Sequence, residues 1–187
     1  MIGTLNLIIV AGLLAILYGY IVGKQIMLAS PGTIKMQEIA SAIQEGARAY
    51  LNRQYKTIAI VGIIILIIIT YALGIWVGLG YFIGAFLSGS AGYVGMLVSV
   101  QANVRTAEAC KKGLSAGLSI SFKSGAVTGM LVAGLALLSI AIYYLILLEL
   151  NIENREIINA LIGLGFGASL ISIFARLEAE YLQKEPM

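Results

Sequence analysis

Residues Thr57–Phe86 read TIAIVGIIILIIITYALGIWVGLGYFIGAF. They carry no charge, and the uncharged run continues to Val104. A helix needs roughly 20 residues to cross about 30 Å of hydrocarbon. The run is therefore long enough to cross twice. The glycines of GIWVGLGYFIG offer a break, which places a short turn near Val77–Tyr81. An open sheet cannot satisfy its backbone in lipid, so both crossings are expected to be helices. The alternation of an outer-membrane barrel is absent.

The rest of the chain has the same character. Of 187 residues, 60% are hydrophobic and 11% are charged, with a mean hydropathy of +0.97. A soluble domain carries about 25% charged residues. The expected fold is an all-α membrane protein, a bundle of about five transmembrane helices with one cytoplasmic or interfacial amphipathic helix. The spans fall at about 2–27, 57–77, 81–103, 122–148 and 157–176, in a single membrane domain covering 1–187. A polar tail occupies 177–187. The first span lacks a basic leader and is too long for the apolar region of a signal peptide, so it reads as a retained helix. The solvent is a lipid bilayer.

The amphipathic helix lies at about 33–55. Met36, Ile39, Ala40, Ile43, Ala47, Tyr50 and Leu51 recur at helical spacing, with polar residues mainly opposite. It is either an interfacial helix, an extension of the second span, or a helix packed on a cytoplasmic site. Basic residues set the orientation. Lys24, Lys35, Arg48, Arg53 and Lys56 lie between spans one and two. Arg105, Lys111, Lys112 and Lys123 lie between spans three and four, whereas spans four and five are separated by Arg155 alone. The expectation is an integral, multi-pass cell-membrane protein with its N-terminus outside and its C-terminal tail cytoplasmic.

Residue types narrow the chemistry. The chain has no His and no Asp, and its nine acids are all Glu. Metal sites need clustered His, Cys or carboxylates, so a complete catalytic metal site within the chain is not expected. Cys110 is the single cysteine and excludes an internal disulfide. The net charge of +3 is spread over span ends and forms no nucleic-acid stripe. Small residues recur at four-residue steps: Gly84, Ser88 and Gly92, then Gly125 and Gly129, then Gly163 and Gly167. In lipid such residues let helix backbones approach closely, which is the mark of a bundle. GLGFGAS sits inside an apolar span with no preceding strand and is no nucleotide loop. The polar candidates are Gln101, Asn103 and Arg105 at the end of span three and Lys123 at the start of span four. Helix-end anchoring is the plainer role for the basic ones. Arg176 closes the last apolar run. It is either an interfacial anchor or an intramembrane cation that needs a carboxylate partner from elsewhere.

Three stretches together resemble the N-terminal part of the membrane-integral, ion-translocating pyrophosphatases. They are PGTIKMQEIASAIQEGARAYLNRQYKTIAI, GSAGYVGMLVSVQANVRTAEACKKGLSAGLSISFKSGAVTGM and ALIGLGFGASLISIFARL. Their order and spacing are similar to the family's, over roughly Leu28–Arg176. The resemblance implies a subunit with many more transmembrane helices, assembled as a homodimer. It implies pyrophosphate hydrolysis at a magnesium-loaded cytoplasmic site, with potassium or sodium as further possible cofactors, and outward transport of protons or sodium ions. It also implies that Arg176, in the family's Phe-Ala-Arg triplet, is an ion-gate residue paired with acidic and lysine residues of other helices.

After Arg176 the sequence departs from the family. LEAEYLQKEPM stands where the family has an aspartate- and lysine-rich stretch that begins the magnesium and pyrophosphate site. The expected function is the N-terminal membrane segment of a pyrophosphate-energised pump, contributing helix packing and Arg176. No catalytic, metal or substrate-binding residue is assigned within it. Its partners would be the remaining helices of a pyrophosphatase or a second copy, and nucleic acid is not among them. A small membrane scaffold, an oligomeric channel or a non-functional remnant are the alternatives.

Overall fold

The computed structural model describes the backbone of residues 2–182 and the side chains of residues 3–173. The all-α expectation holds: the described residues form five helices and no strand. They are α1 (Ile2–Leu28), α2 (Ile34–Leu73), α3 (Ile75–Cys110), α4 (Leu114–Glu149) and α5 (Asn154–Leu182). Each is long and apolar enough to cross a membrane.

The connections are short, and each turns through a positive φ. Gly32 (φ 83°), Gly74 (97°), Gly113 (121°) and Asn151 (54°) serve the four turns in order. The α2–α3 break differs from the expected one. It falls at Gly74 alone, not at Val77–Tyr81. At φ 97° and ψ 167° Gly74 occupies a region that is essentially closed to other residues, and its N–H still caps Thr70 O at 3.1 Å. The glycines that suggested the later turn are spent on packing. Gly78 sits against the Thr70 side chain and Gly80 against the backbone of Ala160.

The amphipathic segment is not separate from the second span. Thr33 caps it by accepting from Met36 N at 3.4 Å, and the helix then runs unbroken for 40 residues to Leu73. No Gly or Pro interrupts RQYKTIAI, so nothing ends the hydrogen-bond ladder there. At 1.5 Å per residue α2 is about 60 Å long, twice the hydrocarbon thickness. Helices α3 and α4 also exceed their expected spans and are joined through residues 111–113 alone. The α5 backbone continues to Leu182, into the stretch read as a tail.

Helix α3 lies at the centre, packed on α2, α4 and α5, while α1 packs mainly on α4. Sequential neighbours run antiparallel and α3 and α5 run parallel, as the pairing of Gly80 with Ala160 and of Gly84 with Leu164 requires. One apolar cluster, Tyr143, Leu147, Ile157, Ala160 and Leu164, sits at the end that holds the Gly74 and Asn151 turns. There the buried Tyr143 hydroxyl donates to Trp76 O at 2.5 Å. A second cluster, Val22, Ile26, Ala102 and Val127, ties α1 to α3 and α4 toward the opposite end. The basic residues Lys35, Arg48, Arg105, Lys111 and Lys112 gather at that opposite end.

Candidate functional site

Two places deserve the name of candidate: the outward face of α5 and a polar cleft at the basic end. The first begins with what holds α5 in place. A Cβ built on Gly80, Gly84 or Gly167 would fall on the carbonyl oxygen of Ala160, Leu164 or Tyr81 respectively. A Cβ on Gly163 would lie 2.5 Å from Val77 O. Glycines from both helices thus interlock along one seam, backbone on backbone. The seam ends with Ser88 Oγ donating to Ala168 O at 3.0 Å. Hydrophobicity cannot drive this contact in lipid, so close dispersion packing and the hydroxyl bond carry it. The four-residue spacing was visible in the sequence, but the partner of each glycine was not.

The other face of α5 is open. Ile158, Ile162, Phe166 and Ile173 are 48–63% exposed, and Gly165 has nothing within 4 Å of a would-be Cβ. Ser169 and Ser172 are exposed on the same face. The helical repeat brings position 176 into register with 165, 169 and 172. The Arg176 side chain itself lies outside the described residues, as do Glu178 and Glu180.

At the basic end the structure brings Gln101 and Arg105 together with Gln37, Ser41 and Gln44 of α2 around a cleft of about 320 Å³. Asn103 and Lys123 are not part of its lining. The Arg105 guanidinium donates to Gln101 O at 2.8 Å and to Met27 O at 3.3 Å, so it caps the last turn of α1. Its Nε is buried without a partner. Helix-end anchoring to headgroups misses this tie, because the α1 terminus it binds is 78 residues away in sequence. Beside the cleft Lys111 pairs with Glu108 at 2.5 Å and also touches Met36 Sδ at 3.4 Å. Cys110 is an exposed free thiol.

Further along the bundle, α2 and α3 flank an apolar groove of about 480 Å³ lined by Tyr55, Tyr81, Phe82, Phe86 and Tyr93 among others. Tyr55 Oη donates to Gly89 O at 2.7 Å, and its ring meets Tyr93 edge-on at 5.4 Å. The described residues contain no group of three or more His, Cys, Asp or Glu placed to hold a metal.

Residues 13–179 match the family described as inorganic H+ pyrophosphatase. The chain is similar to a K(+)-insensitive pyrophosphate-energized proton pump of Methanosarcina mazei, 44% identical over 168 residues, covering 89% of this chain and 24% of that protein. A proton pump with the same name from Caldanaerobacter subterraneus is 37% identical over 191 residues, covering 91% of this chain and 27% of its own length. A protein of Bacteroides thetaiotaomicron, provisionally named a K(+)-stimulated pyrophosphate-energized sodium pump, is 38% identical over 185 residues, covering 91% and 25%. The chain therefore spans about a quarter of the length of the curated relatives it matches. A match over residues 13–179, carried by the same helices that build the glycine seam, makes this chain a member of the inorganic H+ pyrophosphatase family.

Proposed function

We propose that this chain is the N-terminal five-helix segment of a pyrophosphate-energised ion pump, in which α5 contributes one wall of the ion path. The observation that carries the proposal is the asymmetry of α5. One face is locked to α3 through backbone contacts, and the other, in register with position 176, is open and interrupted by Gly165, Ser169 and Ser172. Exposed hydroxyls in register along a membrane helix suit a face covered by other helices or lined by water better than one facing hydrocarbon. Arg176 is then the gate cation on that wall, paired with carboxylates supplied by further helices.

The basic end of the bundle is cytoplasmic in this reading, following the excess of Lys and Arg there. Pyrophosphate and magnesium bind residues that this chain lacks. Gathering several magnesium ions around a polyanion takes many carboxylates, and this sequence has no Asp. The chain alone does not hydrolyse pyrophosphate. Its partner is the remaining three-quarters of a pump, in an assembly that pairs two such subunits.

Two measurements test this reading. Purified chain in liposomes should release no phosphate from pyrophosphate with magnesium; release by the chain alone overturns the division of labour. Co-expression with a Methanosarcina pump lacking its corresponding quarter should restore pyrophosphate-driven ion uptake into vesicles. In that assembly Arg176→Ala should abolish uptake, and uptake at the parent rate would remove Arg176 from the ion path.

A further inference from the structure

The cleft between the α1–α2 corner, α2 and α3 is unlike the rest of the surface. Gln37, Ser41, Gln44, Gln101 and Arg105 supply its polar lining, and no acid is among the lining residues. The Arg105 charge is not neutralised by its two bonds, since Gln101 O and Met27 O are carbonyls without formal charge. The next acid along α3, Glu108, is engaged by Lys111 at 2.5 Å. Arg105 Nε–H is buried and has no acceptor. A buried donor left unpaired carries an uncompensated desolvation cost and calls for an explanation. The two carbonyl bonds account for two of the five guanidinium N–H groups.

We infer that this cleft is an oxyanion site for a phosphate group. A held guanidinium with spare donors, in a cleft lined also by the Gln44 and Gln101 amides and the Ser41 hydroxyl and by no carboxylate, with the Gln37 amide already donating to Gly32 O at 2.9 Å, repels cations and matches tetrahedral phosphate oxygens. A volume of about 320 Å³ admits one phosphate or a phospholipid headgroup. Gln37–Gln44 precede the uncharged run that starts at Thr57, so the cleft lies on the flank of the membrane where anionic headgroups and dissolved anions both have access. The bound phosphate neutralises Arg105 and braces the corner where α1, α2 and α3 meet. The inference does not depend on the pump assignment, because every residue in it belongs to this chain.

The test has two arms with the full chain. In neutral detergent, equilibrium dialysis measures binding of radiolabelled orthophosphate. In lipid discs, native mass spectrometry counts phosphatidic acid retained against phosphatidylcholine. Saturable orthophosphate binding assigns a free anion; selective retention of phosphatidic acid alone assigns a headgroup. In whichever arm binds, Arg105→Gln should weaken binding about tenfold, the loss expected for a charge-assisted hydrogen bond. Gln44→Ala combined with Ser41→Ala should weaken it less, with the helix content unchanged. Should Arg105→Gln release α1 and fail to fold, the double variant decides, and full affinity there overturns the site. Lys112→Gln removes an exposed charge outside the cleft and should leave binding intact. No binding in either arm overturns the inference, as does a loss in Lys112→Gln equal to that in Arg105→Gln.

Discussion

Gly163 and Gly167 of α5 sit where a Cβ would run into the backbone of α3, whereas Gly165, between them, faces open space. The three residues are alike in sequence and differ only in which side of one helix they occupy. On the packed side, glycine removes the Cβ that would hold two backbones apart. On the open side nothing lies within 4 Å of a would-be Cβ, and Ser169 and Ser172 are exposed beyond it. A small residue in a membrane helix thus has no fixed meaning until its neighbour is known. In α5 the closed face fixes the position of the helix and the open face is left uncovered.

Four substitutions test that contrast, each read as unfolding of the purified chain in mixed micelles. Gly84→Leu should be the most damaging. Its side chain would occupy the place of the Leu164 carbonyl, so α3 and α5 must part, at a cost of about 3 kcal/mol or more. Near-parental stability would show that the seam is not the main tie on α5. Gly74→Ala comes next, at about 2 kcal/mol, because φ 97° with ψ 167° strains any side chain. If it unfolds like the parent, the α2–α3 turn has another conformation within reach. Ser88→Ala removes the hydroxyl bond to Ala168 O and should cost about 0.6 kcal/mol. A loss as large as that of Gly84→Leu would mean that the hydroxyl, rather than the glycines, sets the helix spacing. Gly165→Leu should change stability by less than about 0.5 kcal/mol, since the site is exposed and nothing lies within 4 Å of a would-be Cβ. Marked destabilisation there would mean that the open face is already covered in the isolated chain.

Much of the architecture was legible beforehand. A charge-free run from Thr57 to Val104 can only be two crossings, and the composition leaves lipid as the solvent. The position of the break was not legible. GIWVGLGYFIG looked like punctuation because glycine commonly ends helices, and its first glycine, Gly74, does make the turn, whereas Gly78, Gly80 and Gly84 further along serve packing. The union of the amphipathic segment with span two was one of several open readings. Absence of a breaker between Tyr55 and Thr57 was its one local sign. Arg105 was recognisable as a helix-end cation, but its hold on Met27 O depends on where α1 ends in space. Arg176, the residue with the sharpest expectation, has its side chain outside the described residues, so the role proposed for it rests on its register and on the resemblance to the family.

The solvent, the helical class and the crossings follow from composition, because hydropathy, charge and the need to satisfy the backbone in lipid are local properties that add along the chain. Which glycine turns, which packs and which faces outward follows from the packing of the helices. Those roles depend on the atoms of another helix 80 residues away, and Ser88 bonds to Ala168 across that distance for a reason no local pattern contains.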